Sequence, residues 1–116
     1  MPVPASVLVF GRDSQLVSTR RLILEKEGFQ VCIASSLEDI QKLPPERTMD
    51  VMILCHTLST EECNEALLLT HDRWPQMQTV ALATGSSSYG PNTADDIIEA
   101  SEGPAKLIKA IRKYIN

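Results

Sequence analysis

The run Val51–Leu54, "VMIL", has no polar residue at any position, and "SVLVF", Ser6–Phe10, has none after its first. A strand with one wet face alternates. A short branched-aliphatic run without alternation reads as a strand covered on both faces, as in a parallel sheet sandwiched by helices. Three further runs extend the pattern. "FQVCIAS" alternates around Val31 and Ile33, "TVALAT" covers residues 79–84, and Ile97 and Ile98 mark a short fifth strand.

Helical signals fall between these runs. Asp13 or Ser14 is placed to cap a helix over residues 15–27, with Leu16, Leu22, Ile23 and Leu24 as its apolar side. Gly28 suits a left-handed C-terminal residue. Ser36 caps a short segment carrying Leu37 and Ile40, stopped by Pro44 and Pro45. Ser59 or Thr60, followed by Glu61 and Glu62, starts a helix running to about Asp72. Pro104 opens a last helix with Ile108, Ile111 and Ile115 on one face and Lys106, Lys109, Arg112 and Lys113 elsewhere. Strand and helix alternate throughout, so short right-handed crossovers predict a parallel sheet with helices on both faces, in a single domain spanning residues 1–116.

Charge and cysteine usage narrow the function classes. A net charge of −4 lacks the basic footprint that nucleic acid or an anionic membrane surface requires. No apolar run approaches membrane-span length, and "MPVPASVLVF" lacks the basic start of a signal peptide, so a cytoplasmic location is expected. Cys32, Cys55 and Cys63 are odd in number and irregularly spaced, which fits free thiols. Cys55, His56, Cys63 and His71 have no metal-ligand spacing. Adjacent residues on an extended segment point opposite ways, so no metal site is expected.

Over nearly its full length the chain resembles the receiver domain of two-component response regulators, the CheY-like family. "VLVFGRDSQLVSTRRLILEKEGFQV" is similar to a receiver's first strand, first helix and second strand. "DVMILCHTLS" is similar to the third strand and its loop, and "ADDIIEASEGPAKLIKAIRKYI" to the fifth strand and last helix. The resemblance implies a three-layer α/β/α flavodoxin-like fold with a five-stranded parallel sheet in the order 2-1-3-4-5.

Receivers phosphorylate themselves on an Asp ending the third strand. An acidic pair after the first strand holds Mg²⁺, and a Thr or Ser and a Lys contact the phosphoryl group. Carboxylate oxygens suit a hard cation, and cation and Lys neutralise the transferring oxygens. Carried over position by position, the acidic pair falls on Gly11 and Arg12, the acceptor on Cys55, the Lys on Ala100 and the aromatic switch residue on Ile97. Only Thr84 keeps its type. Asp13 lies just beyond the pair.

The resemblance therefore implies a degenerate, or pseudo-, receiver. It would be a non-enzymatic module in two-component or phosphorelay signalling that binds proteins without phosphorylation and without Mg²⁺. Its partner would be a histidine kinase, another regulator or a second copy forming a homodimer. Residues 85–94 are several fewer than the family's connection and rich in Gly, Ser and Pro, so the family's fourth helix is expected to be shortened or missing.

Three alternatives stay open at individual residues. Cys55 is a small apolar filler, or a redox-responsive switch whose thiol Arg12 would activate if the two touch. Arg12 is a built-in cation pairing with Asp13 or a backbone carbonyl, or a solvated loop residue. His56 or Asp13 would be the acceptor in a relocated active site.

Overall fold

A computed structural model describes residues 5–44, 48–55, 58–83, 95–99 and 103–115. In chain order these form β1 (Ser6–Phe10), α1 (Ser14–Lys26), β2 (Gln30–Ala34), α2 (Leu37–Gln41), β3 (Val51–Leu54), α3 (Thr60–Arg73), β4 (Gln78–Ala83), β5 (Asp96–Glu99) and α4 (Pro104–Ile115). The five strands make one sheet in the order β2-β1-β3-β4-β5, and every neighbouring pair is parallel. This is the flavodoxin-like, CheY-like fold expected from the sequence. The expected loss of the family's fourth helix falls on residues outside those described.

Alternate residues of each strand point to opposite faces, and both faces are apolar. Val7, Val9, Val51, Ile53, Val80 and Leu82 pack with α1 and α4. Leu8, Phe10, Met52, Leu54 and Ala81 pack with α2 and α3. That double burial explains why β1 and β3 lack alternation. No helix among the described residues is long and apolar enough to cross a membrane.

Local chemistry sets the helix ends. Asp13 caps α1, its carboxylate accepting from the N–H groups of Gln15 (3.0 Å) and Leu16 (3.3 Å). Gly28, at φ +95°, takes the left-handed turn after it, a region closed to most side chains. Ser36 caps α2. Ser59 caps α3 through a reciprocal box: its hydroxyl accepts from the Glu62 N–H (3.1 Å), and the Glu62 carboxylate accepts from the Ser59 N–H (3.0 Å).

Two helix faces differ from the sequence expectation. In α1 the buried residues are Val17 and Leu24, seven apart and therefore on one stripe, while Leu22 is 67% exposed. Two residues turn a helix by about 200°, which puts Leu22 opposite Leu24. In α4 the buried stripe is Leu107, Ala110 and Ile111, and Ile108 lies half-buried at its margin. Leu107 and Ile111 are one turn apart, and Ala110 between them lets the helix approach the sheet closely. The Ile115 side chain is outside those described.

Candidate functional site

The C-terminal ends of β1 and β3 are neighbours at the centre of the sheet, and the next residue on each extends the ladder. The Gly11 N–H donates to the Ala34 carbonyl (3.1 Å), and the Cys55 N–H donates to the Phe10 carbonyl (2.9 Å). Gly11 and Cys55 therefore sit side by side, with Cys55 only 1% exposed. A Cβ at position 11 would lie 2.8 Å from both Cβ and Sγ of Cys55 and 3.0 Å from Cγ2 of Val17. Gly11 has no positive φ, so glycine is required here for room and not for backbone conformation.

Arg12 turns away from this contact and pairs with Glu62 at the start of α3. Glu62 is a partner the sequence reading did not name, while Asp13, one of the expected partners, caps α1. The Arg12 hydrogen bond, followed by the Ser59 N–H, holds the Glu62 carboxyl below its usual range. Glu62 thus joins the β1–α1 loop to the α3 N-terminus, where a negative charge also meets the helix dipole.

The cation that does reach Cys55 is Arg20, whose Nη1 donates to Sγ at 3.2 Å. Sequence reasoning missed it. The available signal was spacing: Arg20 lies three residues after Val17 and four before Leu24, on the buried stripe of α1. Arg20 has no carboxylate partner among the described residues. It lines a cavity of about 150 Å³ with Leu16, Thr19, Leu82, Ile98 and the start of α4.

Burial pushes the Cys55 thiol up, and Arg20 opposes that shift without cancelling it. Cys63, buried on α3, is pushed up to about 11 by burial first, then by Glu62 and Cys55. Both are protonated at neutral pH, and thiolate is the reactive form. In the folded protein a maleimide is expected to label half-buried Cys32 first. Cys55 and Cys63 should label only in urea, as read by mass spectrometry. Labelling of Cys55 as fast as Cys32 would contradict this.

The acidic tie carries a pH dependence of definite sign. A carboxyl whose pKa is lower folded than unfolded adds stability above its unfolded value and loses it as pH falls through the folded value. Glu62→Gln is therefore expected to cost stability at neutral pH. The difference from the parent should shrink as pH falls below about 4, the ordinary glutamate range. Urea midpoints across pH check this. A difference that stays constant down to acid unfolding would show that the Glu62 charge is immaterial.

Of the other expected site residues, Ile97 lies on β5 opposite Ala81 and is 49% exposed. Thr84, Ala100 and His56 fall outside the described residues. Among those described, no group of three or more His, Cys, Asp or Glu is placed to hold a metal ion. At the three described positions that the resemblance equates with a receiver's acidic groups, Gly11 offers no side-chain donor, Arg12 is cationic, and Cys55 is a buried, protonated thiol, none of them the carboxylate oxygen that suits a hard cation.

No known family profile matches the chain, and no curated protein matches it by sequence. Solved structures do match. A CheY-like response regulator receiver domain protein from Methanospirillum hungatei is 23% identical, with a TM-score of 0.78 over 96% of this chain and 93% of that one. A response regulator receiver domain protein from Clostridium thermocellum is 20% identical, with a TM-score of 0.79 over 97% and 94%. A response regulator from Burkholderia pseudomallei, with a phosphorylated aspartic acid, a calcium ion and citrate, is 16% identical, with a TM-score of 0.75. The chain covers 66% of that protein, which covers 92% of this one. At these identities the likeness is one of fold.

Proposed function

We propose that this chain is a receiver-fold signalling module whose phosphoryl switch has been replaced by a closed, packed site, and that it acts by binding other proteins without phosphorylation. The observation that carries this reading is the space between Gly11 and Cys55. A Cβ at position 11 has no room beside Cys55, so an acidic side chain there is incompatible with this packing. In the Burkholderia pseudomallei regulator an aspartic acid carries the phosphoryl group. The resemblance of the third strand puts Cys55 at the acceptor position.

Two guanidinium groups lie near that position, Arg12 from the expected set and Arg20 from outside it. Arg12 is tied to Glu62 and Arg20 to Cys55 Sγ. Fixed positive charge there repels Mg²⁺ and does for the loop what a bound cation would do: it holds β1, α1 and α3 in one arrangement. A module without a switch needs its output through a partner, whether a histidine kinase, another regulator or a second copy. The alternative of a redox switch at Cys55 is weighed down by its burial and its raised pKa.

The test is an amide NMR titration with Mg²⁺, then with Mg²⁺ and beryllofluoride, a phosphoryl mimic. Resonances of Gly11, Arg12, Cys55 and Thr84 are expected to stay in place at millimolar Mg²⁺ and after the mimic. Saturable, concerted shifts at those residues would overturn the reading.

A further inference from the structure

At the opposite end of the sheet from Cys55, a groove of about 640 Å³ runs between α3 and the start of β4. We propose that this groove docks a basic amphipathic helix of a partner protein. The inference rests on the reading of the chain as a protein-binding module, and it names the surface and the partner chemistry.

The groove's apolar lining comes from Leu67, Leu68, Trp74, Pro75 and Met77. Leu68 is 75% exposed, the most exposed large apolar side chain among the described residues. Ile97 pairs with Ala81, whose side chain faces the α2/α3 layer, so the exposed Ile97 extends apolar surface on that same face. A groove beside a helix, with an apolar floor, suits the apolar stripe of a second helix.

Charge selects the kind of helix. Glu61, Glu65 and Asp72 are exposed and lie within two turns of Leu68 on α3. None of the three has an ion-pair partner among the described residues. Asp95 joins the lining from the β5 side, its carboxylate accepting from the Thr79 N–H (2.7 Å). The Arg73 guanidinium, the nearest fixed cation on α3, donates to the Ile40 carbonyl (2.6 Å) and lies over the Trp74 ring (5.7 Å to its centroid), paired with none of these carboxylates. Unneutralised carboxylates around an apolar strip attract Lys or Arg flanking an apolar stripe, and they repel an acidic partner. The chain's own amphipathic helix, α4, is no candidate, since Leu107, Ala110 and Ile111 bury its apolar face against the sheet.

The probe is a synthetic helical peptide of leucine and lysine, about five turns long, with its leucines on one stripe. A leucine–glutamate twin serves as control. Trp74 is the chain's single tryptophan and lines the groove, so its fluorescence reports binding directly. The lysine peptide is expected to bind saturably, to shift amides of residues 64–79 and to weaken with salt. Leu68→Asp should weaken it by at least about tenfold, on the scale of a lost interface anchor. The Glu65→Lys/Asp72→Lys pair should reduce both affinity and salt dependence.

Absence of binding, shifts mapping elsewhere, or equal binding of the glutamate twin would overturn the proposal. So would a dimer in sedimentation that Leu68→Asp dissociates, because the occupant would then be a second copy. Leu68 is exposed, so its variant retains the fold, checked by circular dichroism. The Mg²⁺ and beryllofluoride titration reads the other end of the sheet, so failure there and failure here are separate results.

Discussion

Replacing Gly11 with alanine is expected to destabilise the protein by about 1–3 kcal/mol, the usual range for forcing extra atoms into a packed site. The contrary effect is known and smaller. Gly→Ala reduces the freedom of the unfolded chain and stabilises by about 0.4–1 kcal/mol where the backbone tolerates it. Gly11 has no positive φ, so that gain is present. The steric term outweighs it because two of the three approaches, at 2.8 Å, involve Cys55 Cβ and Sγ. Cβ is fixed by the backbone and cannot rotate away.

Gly11→Asp should cost more, since it adds a carboxylate beside a residue 1% exposed. The effect is coupled to its neighbour. In a Cys55→Gly background, where both sulfur and Cβ are gone, Gly11→Ala should cost less, by an interaction term of about 0.5–3 kcal/mol. Urea midpoints at constant m-value measure all four proteins. Equal costs in both backgrounds would mean that the contact is relieved elsewhere and that Cys55 does not close the site against a side chain at position 11. Placing at position 11 the acidic residue that the family resemblance would put there should lower stability without creating a metal site.

Ile53→Ala is expected to cost about 2–5 kcal/mol, as for other fully buried aliphatic truncations. Ile33→Ala should stay within about 1 kcal/mol, the span of strand preference at partly exposed sites. Both isoleucines lie on strands with apolar neighbours. Ile53 is 0% exposed on β3, between β1 and β4, with α1 and α4 against its face. Ile33 is 40% exposed on β2, at the sheet edge. If the two substitutions cost the same, the assigned strand order would be in doubt, because central and edge positions would be energetically alike.

The strands were legible because each is a short aliphatic run bounded by turn or capping residues, and all five fall within a residue or two of where "SVLVF", "FQVCIAS", "VMIL", "TVALAT" and Ile97–Ile98 put them. The cap at Ser36 was legible for a similar reason, since a hydroxyl or carboxylate before a helix has one short-range job; the sequence narrowed the other two to Asp13 or Ser14 and to Ser59 or Thr60, and the structure selects Asp13 and Ser59. The orientation of α1 and α4 was less so. Several apolar residues compete for one stripe in each helix, and only the packed sheet decides that Leu24 goes in and Leu22 stays out. Arg20 was overlooked because a charged residue on a buried stripe conflicts with local patterning, and such conflicts are resolved by a distant partner, here Cys55.

The sequence alone determined the layered architecture, because aliphatic periodicity and caps act over a few residues and carry their own free energy. Its resemblance to receivers put Gly11, Arg12 and Cys55 at the positions where that family carries acidic groups. Tertiary structure decided what those residues do. Closure of the parallel sheet set Gly11 against Cys55, α1 carried Arg20 to the thiol, and α3 brought Glu62 to Arg12. Those contacts join residues 35 to 50 positions apart, and no local rule specifies them, since their geometry exists only once strands and helices have packed.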